Sequence, residues 1–185
     1  PCFPRDNVAL DYAGRKLGAN TVLLRTNDDF NRNISPRIVE RINPYLKSDD
    51  TVSVLGLSYK PLSHLIEESP GIYLCDSLAS MGYRVLGYDP LANEYAKQAL
   101  KNTLILDSLK ECLNQSNVIL VTNNDDVFTS LSATDYLGTK DNVTIVDFWR
   151  CLPAEIKDDP RITYVPLGMC LDDETASKNL STLWN

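Results

Sequence analysis

Beyond Asp50 the chain runs as six short apolar, β-branched segments separated by stretches long enough to form a helix, and no other feature narrows the fold as much. The segments are Thr51 to Leu55, Tyr83 to Tyr88, Thr103 to Leu106, Val118 to Val121, Val143 to Val146 and Ile162 to Val165. A strand that is apolar throughout has to be covered on both faces, and helix-sized connections bring each strand back in the same direction. The pattern therefore predicts an α/β fold whose sheet is doubly wound, mainly parallel and Rossmann-like. Ser69 and Pro70 predict a helix after the first strand, as cap and first helical residue, with Gly82 at its end. Only Gly56 follows the first strand, so there is no G-x-G-x-x-G loop and the sheet is not expected to hold NAD. A crevice at the carboxyl ends of the strands remains, and Tyr59, Lys60 and Arg150 are expected to project into it.

The first 48 residues read differently. Val8, Ala9, Tyr12, Ala13 and Leu17 recur at the helical period, with Asp6 placed to cap the first turn and Gly18 to end the helix. A second helical pattern runs through Val22, Leu23, Thr26, Phe30, Ile34, Ile38 and Ile42. Ser35-Pro36 interrupts it, either as a kink or as the start of a new helix capped by Ser35. The expected organisation is a helical segment over 1–48, the sheet domain over 49–170, and a polar tail over 171–185 in which Trp184 could dock. The chain opens without methionine in the middle of a dense motif, and so reads as a piece of a longer one.

Charge and composition remove several functional classes. The formal net charge of -7 gives no global positive field for nucleic acid or anionic lipid. One phosphate group can still be held by a helix N-terminus and a few local cations. The five cysteines form no Cys-x-x-Cys pair and His64 is the single histidine, so neither a metal site nor a Ser-His-Asp relay is expected. With no long apolar run or leader, the expectation is a cytoplasmic protein.

Cys2 and Asp6 carry the sharpest chemical signal. Four residues apart at a helix start, they face the same space one turn apart. The partial positive charge of the helix N-terminus and the nearby Arg5 both favour a thiolate. A carboxylate beside that thiolate suits proton transfer around a covalent thiohemiacetal or thioester. The other reading of the same residues is a buried cysteine followed by a capping aspartate.

Cys2-Phe3-Pro4-Arg5-Asp6, followed by Ala9-Leu10, resembles the Cys-Phe/Leu-Pro-Lys-Asp segment of the UDP-glucose and GDP-mannose dehydrogenases. Gly18 through Leu23-Leu24 to Asn31 is similar to that family's central helix. Val54-Leu55-Gly56-Leu57-Ser58-Tyr59-Lys60-Pro61 is similar to its Gly-Leu-x-Phe-Lys strand and turn, and Glu68-Ser69-Pro70 and Tyr88-Asp89-Pro90 match the landmarks that follow. The ordered set covers the chain to about Pro90, with weaker similarity beyond. The resemblance implies an enzyme that oxidises the C6 alcohol of a UDP- or GDP-linked hexose to a carboxylate with two NAD molecules in succession, UDP-glucose being the first choice. It implies Cys2 as nucleophile, Asp6 as its proton-transfer partner and Arg5 as a cofactor contact in place of lysine, a fork replacing a point charge. Tyr59 and Lys60 would line the sugar-nucleotide site, and Arg150 falls near a family Asp-x-Arg segment whose arginine meets substrate. Packing at a strand end and a surface salt bridge are the alternatives for Tyr59 and Arg150. The NAD-binding domain would lie N-terminal to this chain. The central helix would join a homodimer through Val22, Leu23, Phe30 and Ile34, or else pack within its own chain.

The chain departs from the family between Pro61 and Ser69. The family's acidic pair becomes His64-Leu65 and its pyrophosphate-binding arginine becomes Glu67, which would repel phosphate. That leaves open a non-catalytic sugar-nucleotide-binding or dimerisation module. A flavodoxin-like or receiver-type domain would need Asp89, Asp125, Asp126 and Asp147 to gather as metal ligands, and their order fits no such site.

Overall fold

The computed structural model describes residues 2–169 together with Ser177 and Ser181, and the backbone but not the side chain of Cys2. The tail expected over 171–185, with Trp184, falls almost wholly outside the described residues. Two helices open the chain, α1 (Cys2–Lys16) and α2 (Val22–Arg32), followed by α3 (Ile34–Ile42) and a single 3-10 turn at Asn43–Tyr45. The alternation begins there: β1 (Thr51–Leu55), α4 (Pro70–Ser80), β2 (Arg84–Tyr88), α5 (Asn93–Ala99), β3 (Leu104–Ile105), α6 (Leu109–Asn114) and β4 (Val118–Val121). It closes with α7 (Asp126–Thr129), α8 (Ala133–Leu137), β5 (Val143–Asp147), α9 (Ala154–Lys157) and β6 (Ile162–Pro166).

The six strands form one sheet in the order β3-β2-β1-β4-β5-β6, and every neighbouring pair is parallel. This is the doubly wound order, and its direction reverses where β1 meets β4. β1 and β4 are buried at every position, as central strands covered on both faces must be. One face packs Val52, Val54, Val118 and Leu120 under Ile42 of α3 and Cys75 and Leu78 of α4. The other packs Leu55, Ile119, Val121 and Ile145 under Leu113 of α6, Phe128 of α7, Tyr136 of α8 and Ile156 of α9.

Two local expectations need correction, and a third is met in position only. Asp6 does not cap α1, because the helix already begins at Cys2 and Asp6 sits in its second turn. Pro4 lies in the first turn, where its missing N–H has no intrahelical partner to lose, so it does not delay the start. The new helix at Pro36 starts two residues earlier than a Ser35 cap would require. Asn33 closes α2 and opens α3, both flanks keep helical backbone, and Pro36 is absorbed into the first turn. Ser69 holds the cap position of α4 with extended backbone but makes no side-chain capping bond, and its Oγ is buried without a partner.

α1 and α2 form an antiparallel pair tied by buried polar contacts. Asp11, 8% exposed, accepts a hydrogen bond from Thr21 Oγ1 at 2.5 Å and pairs with Arg15 at 2.9 Å. Asn7 Nδ2 donates to the Leu24 carbonyl at 2.7 Å. Among the described residues no helix is long and apolar enough to cross a membrane.

Candidate functional site

The turn after β1 is held from within. Asp89, at the end of β2 and 1% exposed, accepts the backbone N–H groups of Leu57 and Ser58 on one carboxylate oxygen, both at 2.8 Å. Its other oxygen accepts those of Leu91 and Ala92 at 2.9 and 2.8 Å. In a dinucleotide-binding fold the N–H groups of the first turn would meet a pyrophosphate. Here a carboxylate of the chain itself already takes them, so the β1 turn does not fit NAD. Gly56, with φ +102°, turns the chain beneath α4, and Gly71 presses so closely on the Gly56 carbonyl that a side chain there would clash with backbone.

From this turn Tyr59 and Lys60 reach the surface. The Tyr59 N–H donates to the Leu65 carbonyl at 2.7 Å, Ser58 Oγ to the Lys60 carbonyl at 3.0 Å, and Asn123 Nδ2 to Ser58 Oγ at 3.2 Å. Leu62 and Glu68 bend the loop with left-handed backbone, φ 57° and 58°. His64 is exposed and stacks on Tyr95 at 5.0 Å between ring centroids.

Asp147 plays the matching part at the end of β5. Fully buried, it accepts the N–H groups of Trp149, Arg150 and Leu152 at 3.0, 2.7 and 3.0 Å and the Tyr164 hydroxyl at 2.9 Å. Burial and the adjoining carboxylate push the Tyr164 phenol up. Arg150 is held at φ 56°. With Asp89 and Asp147 bound to backbone and Asp125 capping α7 through Val127 N–H, the strand-end acids are occupied in fixing loops and do not gather for a metal.

A cavity of about 860 Å³ opens at the carboxyl ends of β1, β4 and β5, across the point where strand order reverses. The sheet contributes Tyr59, Lys60, Pro61, Asn124 and Trp149; α1 contributes Phe3, Pro4 and Asn7; α2 and the start of α3 contribute Asn27, Asp28, Phe30, Asn31 and Ile34; Glu68 and Pro70 complete it. A smaller space of about 230 Å³ continues it through Asn31, Ile34, Glu68 and Pro70 and adds Arg32, but that guanidinium is tied to Asp28 at 2.8 Å.

The residues singled out by sequence are thus only partly gathered. Tyr59 and Lys60 line the cavity together. Arg150 follows Trp149 but lies outside the lining, its guanidinium near Gly168. Arg5 and Asp6 pair with each other at 3.6 Å on the exposed side of α1, while Phe3 and Asn7 turn toward the cavity. The thiol of Cys2 is outside the described atoms. Of the other cysteines with described side chains, none is primed as a nucleophile: burial pushes the Cys75 thiol up, the Cys112 thiol to about 12 and the Cys151 thiol to about 11. Trp149, Asn124 and the polar end of α2 were missed by sequence reasoning. The usable signal was an aromatic residue two after a strand-ending aspartate.

Residues 53–154, more than half of the chain, match the family model for the UDP-binding domain of the UDP-glucose/GDP-mannose dehydrogenases. The chain belongs to this family. A UDP-glucose 6-dehydrogenase of Haloferax volcanii is 32% identical over 131 residues, 70% of this chain and 30% of the relative. Another from Rickettsia conorii is 26% identical over 172 residues, 90% of this chain and 40% of the relative. The chain therefore spans well under half the length of these curated relatives. Among solved structures, a UDP-glucose dehydrogenase from Pyrobaculum islandicum aligns with TM-score 0.69 at 20% identity, covering 91% of this chain and 37% of that one. A GDP-mannose dehydrogenase from Pseudomonas aeruginosa aligns with TM-score 0.68 at 23% identity, covering 89% and 38%. At those identities the two structures establish the shared dehydrogenase-type fold.

Proposed function

We propose that the chain is the C-terminal part of an NAD-dependent nucleotide-sugar 6-dehydrogenase that oxidises the C6 alcohol of a UDP- or GDP-linked hexose to a carboxylate, UDP-glucose to UDP-glucuronate first among them. The observation that carries this reading is one cavity walled jointly by the Tyr59-Lys60 turn of a UDP-binding-family domain and by the first turn of the helix that begins at Cys2. Lys60 supplies a mobile ammonium for the diphosphate, and Tyr59, 39% exposed, an aromatic face for the ligand. Arg150, next in sequence to Trp149 of the lining, is the second cation of this reading.

In this reading Cys2 attacks the C6 aldehyde carbon, so that a carbon–sulfur bond forms and the carbonyl oxygen takes a proton. Loss of a second hydride from C6 to bound NAD, with the hydroxyl proton leaving, would turn this thiohemiacetal into a thioester, whose carbon–sulfur bond water then breaks, returning the thiolate and releasing the carboxylate. Asp6, one helical turn from Cys2, moves the protons. NAD would supply the acceptor for both hydrides, one from the alcohol and one from the thiohemiacetal, and would be held outside this sheet by a domain N-terminal to the chain, with Arg5 as a contact from α1. A homodimer through α2 agrees with that helix having no buried residue while Val22, Leu23, Phe30 and Ile34 stand 37–80% exposed.

The test is made in the full-length enzyme. Cys2→Ala is expected to lower turnover to the carboxylate by roughly three orders of magnitude while leaving UDP-glucose affinity within about twofold. Carboxylate formation at near wild-type rate in that variant would remove the covalent mechanism.

A further inference from the structure

Trp149 is mounted as a fixed wall. Its indole Nε1–H donates to the Thr122 carbonyl at 3.0 Å, at the end of β4. Its backbone N–H donates to Asp147 Oδ1 at 3.0 Å. The next residue, Arg150, is left-handed at φ 56° and gives its own N–H to the same oxygen at 2.7 Å, so the turn cannot relax without breaking bonds to a buried carboxylate. The ring is thus pinned through both its nitrogen and its backbone, yet it stays 55% exposed and lines the cavity that holds Tyr59 and Lys60. With its only polar side-chain atom already satisfied, what the residue offers a ligand is the π-surface of the indole.

Resting on the sugar-nucleotide reading above, we infer that Trp149 is the stacking wall for the nucleobase, a specificity-determining residue that favours nucleoside diphosphates over base-free phosphates. The charge layout divides the cavity in a consistent way. Lys60 is the cation of the sheet side and takes the phosphates. The hexose must reach the start of α1, where Phe3 and Pro4 enter the wall beside Cys2. Of the two sheet-side rings, Tyr59 adjoins Lys60 at the phosphate end, and the pinned indole of Trp149 is left for the base. Stacking on an indole needs only a planar π-face, so either uracil or guanine satisfies it, and discrimination between bases falls to other groups.

Calorimetric titration of the chain with UDP, which has a base and no hexose, tests this in the wild type, Trp149→Ala, Trp149→Phe and Lys60→Ala. Inorganic pyrophosphate serves as the base-free competitor. Trp149→Ala is expected to weaken UDP by about tenfold or more, the loss of one base–aromatic stack. It should leave displacement by pyrophosphate within about twofold. Trp149→Phe keeps a ring and is expected to recover most of the affinity. Equal losses for UDP and pyrophosphate would mean that the indole only props the loop, and would overturn the inference. Unchanged UDP affinity with a loss confined to UDP-glucose would place the ring on the hexose and overturn it too. If Lys60→Ala weakens UDP and Trp149→Ala does not, the stacking role falls while the sugar-nucleotide reading stands. If the wild type binds no UDP, both fall.

Discussion

Asp89→Asn tests the loop architecture beneath the site with a single atom changed. Each oxygen of Asp89 accepts two backbone N–H groups, Leu57 and Ser58 on one, Leu91 and Ala92 on the other, at 2.8–2.9 Å. An amide has one accepting oxygen, so whichever way Asn turns, two N–H groups face its NH₂. Two charge-assisted hydrogen bonds are lost at about 1.5–3 kcal/mol each, so the unfolding free energy should fall by about 3–6 kcal/mol. That is a large share of the roughly 5–15 kcal/mol of an ordinary domain. Urea unfolding followed by far-ultraviolet circular dichroism reads it directly. If the NH₂ faces Leu57 and Ser58, the Tyr59-Lys60 turn loosens and UDP affinity drops as well; if it faces Leu91 and Ala92, the start of α5 loosens and affinity holds. A loss under about 1 kcal/mol would refute the claim that this carboxylate organises the turn.

Other outcomes are expected on the same grounds. Gly71→Ala drives a methyl group into the Gly56 carbonyl and should cost about 1–3 kcal/mol in the same unfolding assay; wild-type stability would show that α4 is not seated tightly on β1. Burial raises Cys112 from 9.0 to about 12, and raises Cys75 and Tyr136 as well. Their contribution is whole below about pH 9, where the unfolded thiols begin to ionise, and is lost as pH climbs toward the folded values. The urea midpoint should therefore fall between about pH 8.5 and 10.5, and a flat profile would contradict the burial. Lys140 opposes that fall, since burial lowers it to about 8 and its strain is relieved as pH rises; Lys140→Met should steepen the alkaline decline. If the proposed homodimer forms through α2, Leu23→Glu with Phe30→Glu should leave a monomer by light scattering where the wild type is a dimer, and an unchanged mass would remove α2 as the contact.

Much of the sheet was legible because a parallel strand covered on both faces leaves an unbroken apolar run. β1 and β4 match their sequence segments residue for residue, whereas edge strand β3 shrinks to Leu104–Ile105. The strand order was not legible, since it depends on which helices cover which face. The short helices α7, α8 and α9, of four or five residues, carry too few residues for a period to emerge. At the site, Tyr59 and Lys60 stood out because their turn resembles a family motif. The direction of Trp149 is set by Asp147 and by the left-handed Arg150, neither of which a linear pattern displays. Asp6 was misplaced as a cap for a similar reason: Pro4 and Asp6 are both good first-turn residues, and only the start of α1 at Cys2 separates them.

A crystal structure of the chain with UDP-glucose is the most direct trial of the site. The diphosphate is expected within hydrogen-bonding reach of Lys60 Nζ, about 2.7–3.2 Å, with the hexose C6 directed at the first turn of α1. Ligand density in the groove of Leu109, Leu131 and Thr134 between α6 and α8, and none between Tyr59 and Trp149, would contradict it.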